Sequence, residues 1–329
     1  MDLKYIYRPI EKGLVKVDNL LNESLKRTKY KSILELNNYL LDSKGKRIRP
    51  ALVMICAKVC GDISLTTVLT KIASAIELIH TASLVHDDII DQSALRHYKP
   101  TFNKQFGEDV SIAFGDYLYA VAFELIASCN NTDILSCIAQ ASRALCEGEL
   151  IQVCERDNLS LLKERYLLIV KKKTASLFAA SCQVGAILAQ SRQVTQDALK
   201  GYGLNLGVAF QIVDDCRDLT GSKEKLGKSP GLDFKAGELT LPILNLISQE
   251  PGEKKSIIAL LKNQGDERAF RNLSQKFLNS SALERTKKDA FLYIRKAKNF
   301  LNSLEDSSCR RSLSALADYV AGKADFDHE

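Results

Sequence analysis

The spacing of proline is the feature that most constrains the fold of this chain. Of 329 residues only six are prolines, and none lies between Pro100 and Pro230. Proline breaks helix interiors, so this interval can form long, uninterrupted helices. Strand-like alternation is almost absent, whereas apolar residues recur at three- and four-residue steps over residues 71–86, 110–128, 132–154, 160–190 and 195–216. The sequence therefore predicts an all-α protein.

Nothing in the sequence divides the chain into parts. There is no glycine- or serine-rich linker, no compositional shift and no repeat of fixed period. The breaks are short, such as the turn with a helix N-cap candidate at residues 130–133, and the longest irregular stretch runs from Gly221 to Gly237. We expect a single domain over residues 1–329, a helical bundle whose motif-bearing core spans about residues 30–320.

Composition narrows the class of protein. Charged residues make up 26% of the chain and the net charge is +6, with both signs scattered, and neither zinc-finger spacing nor an aromatic RNA-binding motif occurs. We expect no nucleic-acid partner. The nine cysteines include no CxxC pair, which indicates a reducing compartment. With no signal-peptide core at the N-terminus and no apolar run of about 18 residues, we expect a cytoplasmic protein without a transmembrane segment.

Two aspartate clusters carry the strongest chemical signal. The first is Asp87, Asp88 and Asp91, and the second has the same spacing and comprises Asp214, Asp215 and Asp218. At about 100° per residue, the three carboxylates of each cluster share one face of a helix. Each cluster follows an apolar helix, where burying three carboxylates is costly unless a cation neutralises them. Oxygen ligands without His or Cys favour Mg²⁺, which leaves coordination places for a substrate phosphate.

Basic residues add a second anion site. The segment GKRIRP at residues 45–50 places Lys46 and Arg49 at the start of an apolar helix, where an anion is well accommodated. Arg96 follows the first cluster, and Lys173 and Lys228 lie farther along the chain. Near two Mg²⁺ sites, these basic residues predict a second site that binds a phosphate group.

With these motifs the sequence resembles the trans-isoprenyl diphosphate synthases of the polyprenyl synthetase family, in particular long-chain polyprenyl diphosphate synthases. The resemblance covers roughly residues 30–320, and the paired DDxxD motifs are its most specific part. The matching segments occur in the family's order and are GKRIRP (45–50), ELIHTASLVHDDIIDQSALRHYKPT (77–101), GDYL (115–118), EGELIQ (147–152), KKTASL (172–177), GVAFQIVDDCRD (207–218) and LGKSPGLDFKAGELTLP (226–242).

The resemblance implies a fold and a reaction. The fold is an all-α bundle around a deep central cavity, usually in a homodimer. The reaction joins isopentenyl diphosphate to an allylic diphosphate (geranyl, farnesyl or geranylgeranyl) and gives an all-trans polyprenyl diphosphate. About three Mg²⁺ ions per active site are implied. Product release implies at most a transient contact with a membrane.

The resemblance also implies a role for each matching residue. The metal ligands would be Asp87, Asp88, Asp91, Asp214 and Asp215, with Asp218 acting through water. Arg96, Lys173 and Lys228 would grip the allylic diphosphate. Isopentenyl diphosphate would be bound by Lys46, Arg49 and His80, and by His97 where most members have arginine. Thr174 and Gln211 would lie beside the reacting carbon. The aspartates Asp87, Asp88, Asp91, Asp214 and Asp215, with Lys173, Thr174 and Gln211, form the predicted catalytic set.

Two departures from the family pattern affect substrate affinity. His97 replaces an arginine, and a neutral imidazole is a poorer phosphate ligand than a guanidinium. Glu238 stands where many members have lysine. These changes leave open a partner subunit or an unusual substrate.

Product length can be argued from side-chain size. Members that stop at farnesyl or geranylgeranyl have aromatic residues four or five positions before the first aspartate. Here these positions are Ser83 and Ala82, both small, so we expect a product from hexaprenyl to decaprenyl. A short-chain synthase and a subunit of a heteromeric synthase remain the alternatives. A terpene cyclase and a non-catalytic scaffold fit less well, because all six aspartates are intact.

Overall fold

The structure is a computed structural model that describes residues 2–42, 45–61, 66–96, 98–221 and 230–323. Two predicted site residues, His97 and Lys228, lie outside these described residues. The predicted all-α fold is confirmed, since nearly every described element is a helix. The helices are α1 Leu3–Tyr7, α2 Glu11–Lys26, α3 Lys31–Leu41, α4 Ile48–Cys60, α5 Thr67–Ile90, α6 Phe102–Phe106, α7 Glu108–Ala127, α8 Thr132–Cys154, α9 Lys163–Val170, α10 Ser176–Leu188, α11 Gln193–Thr220, α12 Leu232–Lys235, α13 Leu241–Gln249, α14 Lys254–Leu261, α15 Glu267–Leu278, α16 Ser281–Phe300 and α17 Ser308–Gly322.

Short elements complete the described chain. A two-residue hairpin pairs β1 (Leu95–Arg96) with β2 (Lys99–Pro100) in antiparallel register. Lys171–Ala175 form a π-helical turn between α9 and α10. Short 3₁₀ turns are formed by Arg8–Ile10, Pro251–Glu253 and Leu301–Ser303.

The long helices pack into one bundle. Helix α5 packs against α4 and α7, α10 packs against α4, α8 and α11, and α11 packs against α16. The predicted helix over residues 71–86 is the middle of α5, where Ile72, Ile76 and Ile79 are fully buried. Buried side chains of all the long helices form one continuous hydrophobic cluster. Single-domain organisation stays a prediction.

Local capping sets where the helices begin. The Oγ1 atom of Thr66 accepts a hydrogen bond from the backbone nitrogen of Leu69 and starts α5. The predicted turn at residues 130–133 is present, and Asn131 caps α8 by accepting from the nitrogen of Ile134 at 3.0 Å. Both helices then carry functional side chains toward their C-terminal ends.

By length and composition alone, two of the described helices could cross a membrane, and the absence of a transmembrane segment stays a prediction. Over their most apolar 18 residues, α5 has a mean hydropathy of 1.4 and α7 of 1.5. Both concentrate apolar residues because each lies in a bundle of helices. In α5 that window is 72% buried, as in a core helix, whereas in α7 it is 39% buried and an apolar face reaches the surface.

Candidate active site

Carboxylates from both aspartate clusters line one cavity of about 470 Å³. Helices α5 and α11 end at this cavity, and the π turn and the start of α4 complete its polar wall. Ala82 and Asp218 are predicted site residues that do not line it. The predicted residues that do are Lys46, Arg49, His80, Ser83, Asp87, Asp88, Asp91, Arg96, Lys173, Thr174, Gln211, Asp214 and Asp215.

Asp88 of the first cluster is held by Arg96. The Nε atom of Arg96 lies 3.1 Å from Oδ1 and 3.0 Å from Oδ2 of Asp88, and its Nη2 lies 2.8 Å from Oδ1. The β1–β2 hairpin turns the chain back so that Arg96 meets the end of α5. Asp88 is only 4% exposed, so this ion pair fixes its orientation.

The pKa values of the other two carboxylates of the first cluster are raised, although Lys173 lies near both and Arg156 pairs with Asp91 at 2.6 Å. Burial, together with the charges of Glu149 and Asp91, raises the pKa of Asp87 to about 8 against the opposing effect of Lys173. Burial also raises the pKa of Asp91. Because burial outweighs the neighbouring positive charges, a cation in the cavity would stabilise the ionised form of both carboxylates. This wall of the cavity therefore favours a bound cation.

The second cluster is held by hydrogen bonds. The two oxygens of Asp215 accept from the Tyr166 hydroxyl group at 2.6 Å and from Nε2 of Gln211 at 2.7 Å. Burial nevertheless raises the pKa of Asp215 to about 7. Asp218 turns away from the cavity, and its Oδ2 accepts from the backbone nitrogen of Asp233 at 3.1 Å. In this structure Asp218 thus anchors the first turn of α12.

The π turn places Lys173 and Thr174 in the cavity wall. Nζ of Lys173 lies 2.5 Å from Oε2 of Glu149, and Oγ1 of Thr174 donates to Oε1 of Gln211 at 2.8 Å. Gly148 on α8 permits this approach, since a Cβ atom there would overlap the backbone of Lys173. Burial would lower the pKa of Lys173, but Asp87 and Glu149 outweigh it and raise that pKa. Lys173 therefore stays charged.

A basic corner lies at the start of α4. The guanidinium group of Arg49 lies 4.6 Å from the centre of the Phe178 ring, and burial lowers its pKa to about 10. Burial together with Arg49 and Arg96 lowers the pKa of His80 well below its usual value, so His80 is neutral near pH 7. Lys46 lies exposed at the cavity mouth. This corner presents donors for an anion.

One wall of the cavity is apolar. It includes Leu145 of α8, Ile169 of α9 and Phe210 of α11. Ser83 also lines the cavity, and its hydroxyl group donates to the carbonyl oxygen of His80 at 2.8 Å. Ala82 is fully buried away from the cavity. In this structure the Cβ of Ala82 faces the core, and its role on the product path stays a prediction.

Several polar residues of the site were missed in the sequence. Glu149 and Gln152 lie in the segment EGELIQ, so its match to the family was an available signal. Tyr166 and Arg156 lie outside every matched segment. Arg217 lies between Asp214 and Asp218 and lines the cavity, yet sequence reasoning gave it no role.

The donor chemistry of this cavity fits a hard divalent cation. Its carboxylates offer oxygen atoms only, from α5 on one wall and from α11 on the other. Within the described ranges, no group of three or more His, Cys, Asp or Glu side chains could hold a metal ion by itself. This matches Mg²⁺ chemistry, in which one or two carboxylates bind and substrate phosphates and water complete the coordination.

Comparison with known proteins identifies the class. The polyprenyl synthetase family model matches residues 30–276. The chain is 34% identical over 326 residues to heptaprenyl diphosphate synthase component 2 of Geobacillus stearothermophilus, covering 99% of this chain and 100% of that protein. It is 31% identical over 307 residues to the short chain isoprenyl diphosphate synthase of Methanothermobacter thermautotrophicus, covering 92% and 94%. The Caulobacter crescentus polyprenyl synthase, solved with calcium and isoprenyl diphosphate, has a TM-score of 0.93 at 35% identity, with 97% of each chain covered.

Fold and site together define an enzyme with the all-α isoprenoid synthase fold. The chain belongs to the polyprenyl synthetase family. It is a prenyltransferase with isoprenyl diphosphate synthase activity, and synthases of this family use divalent metal ions.

Proposed function

We propose that this enzyme is a Mg²⁺-dependent synthase that extends a geranyl, farnesyl or geranylgeranyl diphosphate with isopentenyl diphosphate to a long all-trans product. The observation that carries the proposal is the shared cavity, which is lined by carboxylates of both aspartate clusters and by a basic corner. Asp87, Asp91 and Asp214 are the carboxylates best placed to hold Mg²⁺. When bound, Mg²⁺ stabilises negative charge on the leaving diphosphate.

The side chains of the chain bind and orient the substrates. Lys46 and Arg49 hold the diphosphate of isopentenyl diphosphate, and Lys173 and Arg96 hold the allylic diphosphate. The allylic C–O bond breaks, and the alkene carbon of isopentenyl diphosphate forms the new C–C bond. The oxygens of Thr174 and Gln211 face the electron-poor carbon. The excess proton then leaves to the departed diphosphate.

The apolar wall protects the reactive intermediate. An allylic cation is quenched by water, so the region that receives the growing tail must be dry. Leu145, Ile169 and Phe210 supply such a surface. We propose that the tail grows along this wall past Ser83, whose small side chain leaves room for it.

The experiment is an incubation of purified protein with labelled isopentenyl diphosphate and each allylic primer, with Mg²⁺ or with EDTA. We expect incorporation only with Mg²⁺. Asp214→Asn should reduce it at least a hundredfold, whereas Asp197→Asn, an exposed change on the same helix, should leave it unchanged. No incorporation with any primer would contradict the proposal and favour a subunit that needs a partner.

We further propose that the enzyme is a homodimer formed through α7 and α8. These helices expose Val110, Ile112, Leu135, Leu150 and Val153, with exposed fractions from 38% to 66%. Large exposed apolar areas mark interaction sites. Light scattering should give twice the mass of one chain, and Leu150→Asp should shift it toward the monomer.

A monomeric wild type would contradict the homodimer and favour a different partner chain. That second candidate is supported by one observation, because the relative from Geobacillus stearothermophilus is named as component 2 of its synthase. Adding the purified partner component should then restore incorporation.

We propose that the enzyme acts in the cytoplasm and contacts a membrane only while product leaves. All nine cysteines are free, as is typical of a reducing compartment. Cell fractionation should place the enzyme in the soluble fraction. Recovery only with membranes after a high-salt wash would contradict this.

A further inference from the structure

One guanidinium group joins three segments at the edge of the cavity. Arg156 follows the end of α8, and its Nη2 lies 2.6 Å from Oδ1 of Asp91 at the end of α5. Its Nη1 donates to the carbonyl oxygen of Ile90 at 3.2 Å. On its other side, Nη2 and Nε lie 3.1 and 3.3 Å from Oε1 of Glu238, ahead of α13. Arg156 therefore ties α8 and α5 to the chain that leads into α13.

The geometry of this bridge requires arginine and acid in these places. A guanidinium group offers several donors in a fixed plane, whereas an ammonium group is a single point charge. The Arg156 side chain is 22% exposed and that of Glu238 is 10% exposed. Gln152 also donates through Nε2 to Oε2 of Glu238. Both oxygens of Glu238 are thus engaged, and the carboxylate is fixed where it meets Arg156.

Asp91 is held through one oxygen. Arg156 binds Oδ1, and among the described residues Oδ2 forms no hydrogen bond or ion pair. Because Asp91 also lines the cavity, the second oxygen is available to a cation there. A partner that orients a metal-binding carboxylate is often nearly as important as the ligand.

We propose that Arg156 is a positioning residue that orients Asp91 for Mg²⁺, and that Glu238 holds Arg156 in place. Position 238 of this chain then requires an acid because Arg156 supplies the positive charge from α8. The inference rests on the proposed Mg²⁺-dependent function and deepens it. It also accounts for Glu238, the departure from the family pattern.

The first test measures Mg²⁺ dependence. We expect Arg156→Gln to raise the half-saturating Mg²⁺ concentration roughly tenfold, while KM for isopentenyl diphosphate changes less than about twofold, because Lys46 and Arg49 are untouched. The half-saturating Mg²⁺ concentration of Arg156→Lys should lie between those of the wild type and Arg156→Gln. Arg143→Gln, on an 83% exposed side chain of α8, is the matched control. An unchanged or lower Mg²⁺ requirement in Arg156→Gln would overturn the proposal, since Arg156 would then be neutral or a competitor of the metal.

The second test adds a readout that needs no turnover. Glu238→Lys, Arg156→Gln and the double variant are melted without metal or substrate, and the same set is assayed for half-saturating Mg²⁺. We expect Glu238→Lys to be the most damaging change in both measurements, because a lysine would meet Arg156 and Lys173. The double variant should then melt at a higher temperature and need less Mg²⁺ for half-saturation than Glu238→Lys alone. Independent effects in the melting cycle would refute the bridge, whatever the activity proves to be.

Discussion

The Tyr166 hydroxyl group donates a hydrogen bond to Oδ2 of Asp215 at 2.6 Å, and both side chains are only 4% exposed. Gln211 donates to the other oxygen of Asp215 and accepts from Thr174. Together these bonds form a hydrogen-bond network that runs from the π turn through α11 to α9. A buried carboxylate with both oxygens hydrogen-bonded has a fixed orientation. This network therefore links Asp215 of the second cluster to Thr174 and Gln211, the residues proposed to face the reacting carbon.

We predict that Tyr166→Phe lowers kcat/KM at pH 7 about tenfold, the range for a hydrogen bond to a charged group. The Tyr166 bond lowers the pKa of Asp215 against the larger raising effect of burial. Without that bond, this pKa rises and less of the carboxylate is ionised. The acid limb of the pH–rate profile should move to higher pH. Tyr30→Phe, at a 71% exposed side chain, is the control, and an unmoved acid limb would refute the role of Tyr166.

We predict that Asp87→Asn stabilises the metal-free protein at high pH while it abolishes activity. Burial raises the pKa of Asp87 from 3.8 to about 8, so the folded state favours the protonated carboxyl group. The unfavourable contribution of Asp87 to stability is absent below pH 3.8, grows as pH rises, and is complete above about pH 8. Asparagine carries no charge at any of these pH values, so Asp87→Asn removes this unfavourable contribution.

Thermal melting in EDTA checks this prediction. At pH 8 the melting temperature of Asp87→Asn should exceed that of the wild type by about 3 °C, and near pH 4 the two should coincide. Asp197→Asn should melt like the wild type at both values. A variant that is less stable at pH 8 would show that the neighbouring cations already compensate Asp87.

The sequence predicted the parts of this enzyme that depend on local pattern. Helical spacing predicted α5 and α11, and the repeated aspartate spacing predicted two carboxylate faces that the structure brings to one cavity. The turn at residues 130–133 was predicted because the Asn131 cap is a local interaction. Such features need no knowledge of distant contacts.

Other features depend on contacts between distant segments. The π turn was missed, since its fit against Gly148 of α8 arises only in the packed bundle. Tyr166 lies far from Asp215 in sequence, and no motif connects them. Ala82 and Ser83 are adjacent and both small, yet only Ser83 reaches the cavity. Where one helix face meets the core and the next meets the cavity, residue size alone does not tell which of the two a side chain reaches.

We predict that Arg217→Leu raises KM for isopentenyl diphosphate about tenfold, with a smaller effect on kcat. Arg217 lines the cavity and forms no side-chain hydrogen bond or ion pair within the described part of the chain. Burial lowers the pKa of Lys46, and the charges of Arg217 and Lys323 lower it further, so these cations are neighbours. Loss of one cation from a phosphate site weakens binding. Arg217→Lys should retain most of the affinity, and an unchanged KM in Arg217→Leu would exclude a contact with this substrate.

The final prediction concerns product length. Ser83→Tyr should shorten the product to farnesyl or geranylgeranyl diphosphate, because an aromatic ring at this cavity-lining position would meet the growing tail. Ala82→Tyr should instead lower the melting temperature, since Ala82 is fully buried and a larger side chain overpacks the core. Chromatography of the products separates the two effects. A wild-type enzyme that already stops at farnesyl diphosphate would contradict the long-chain proposal, and an unchanged length in Ser83→Tyr would show that the tail grows along another wall.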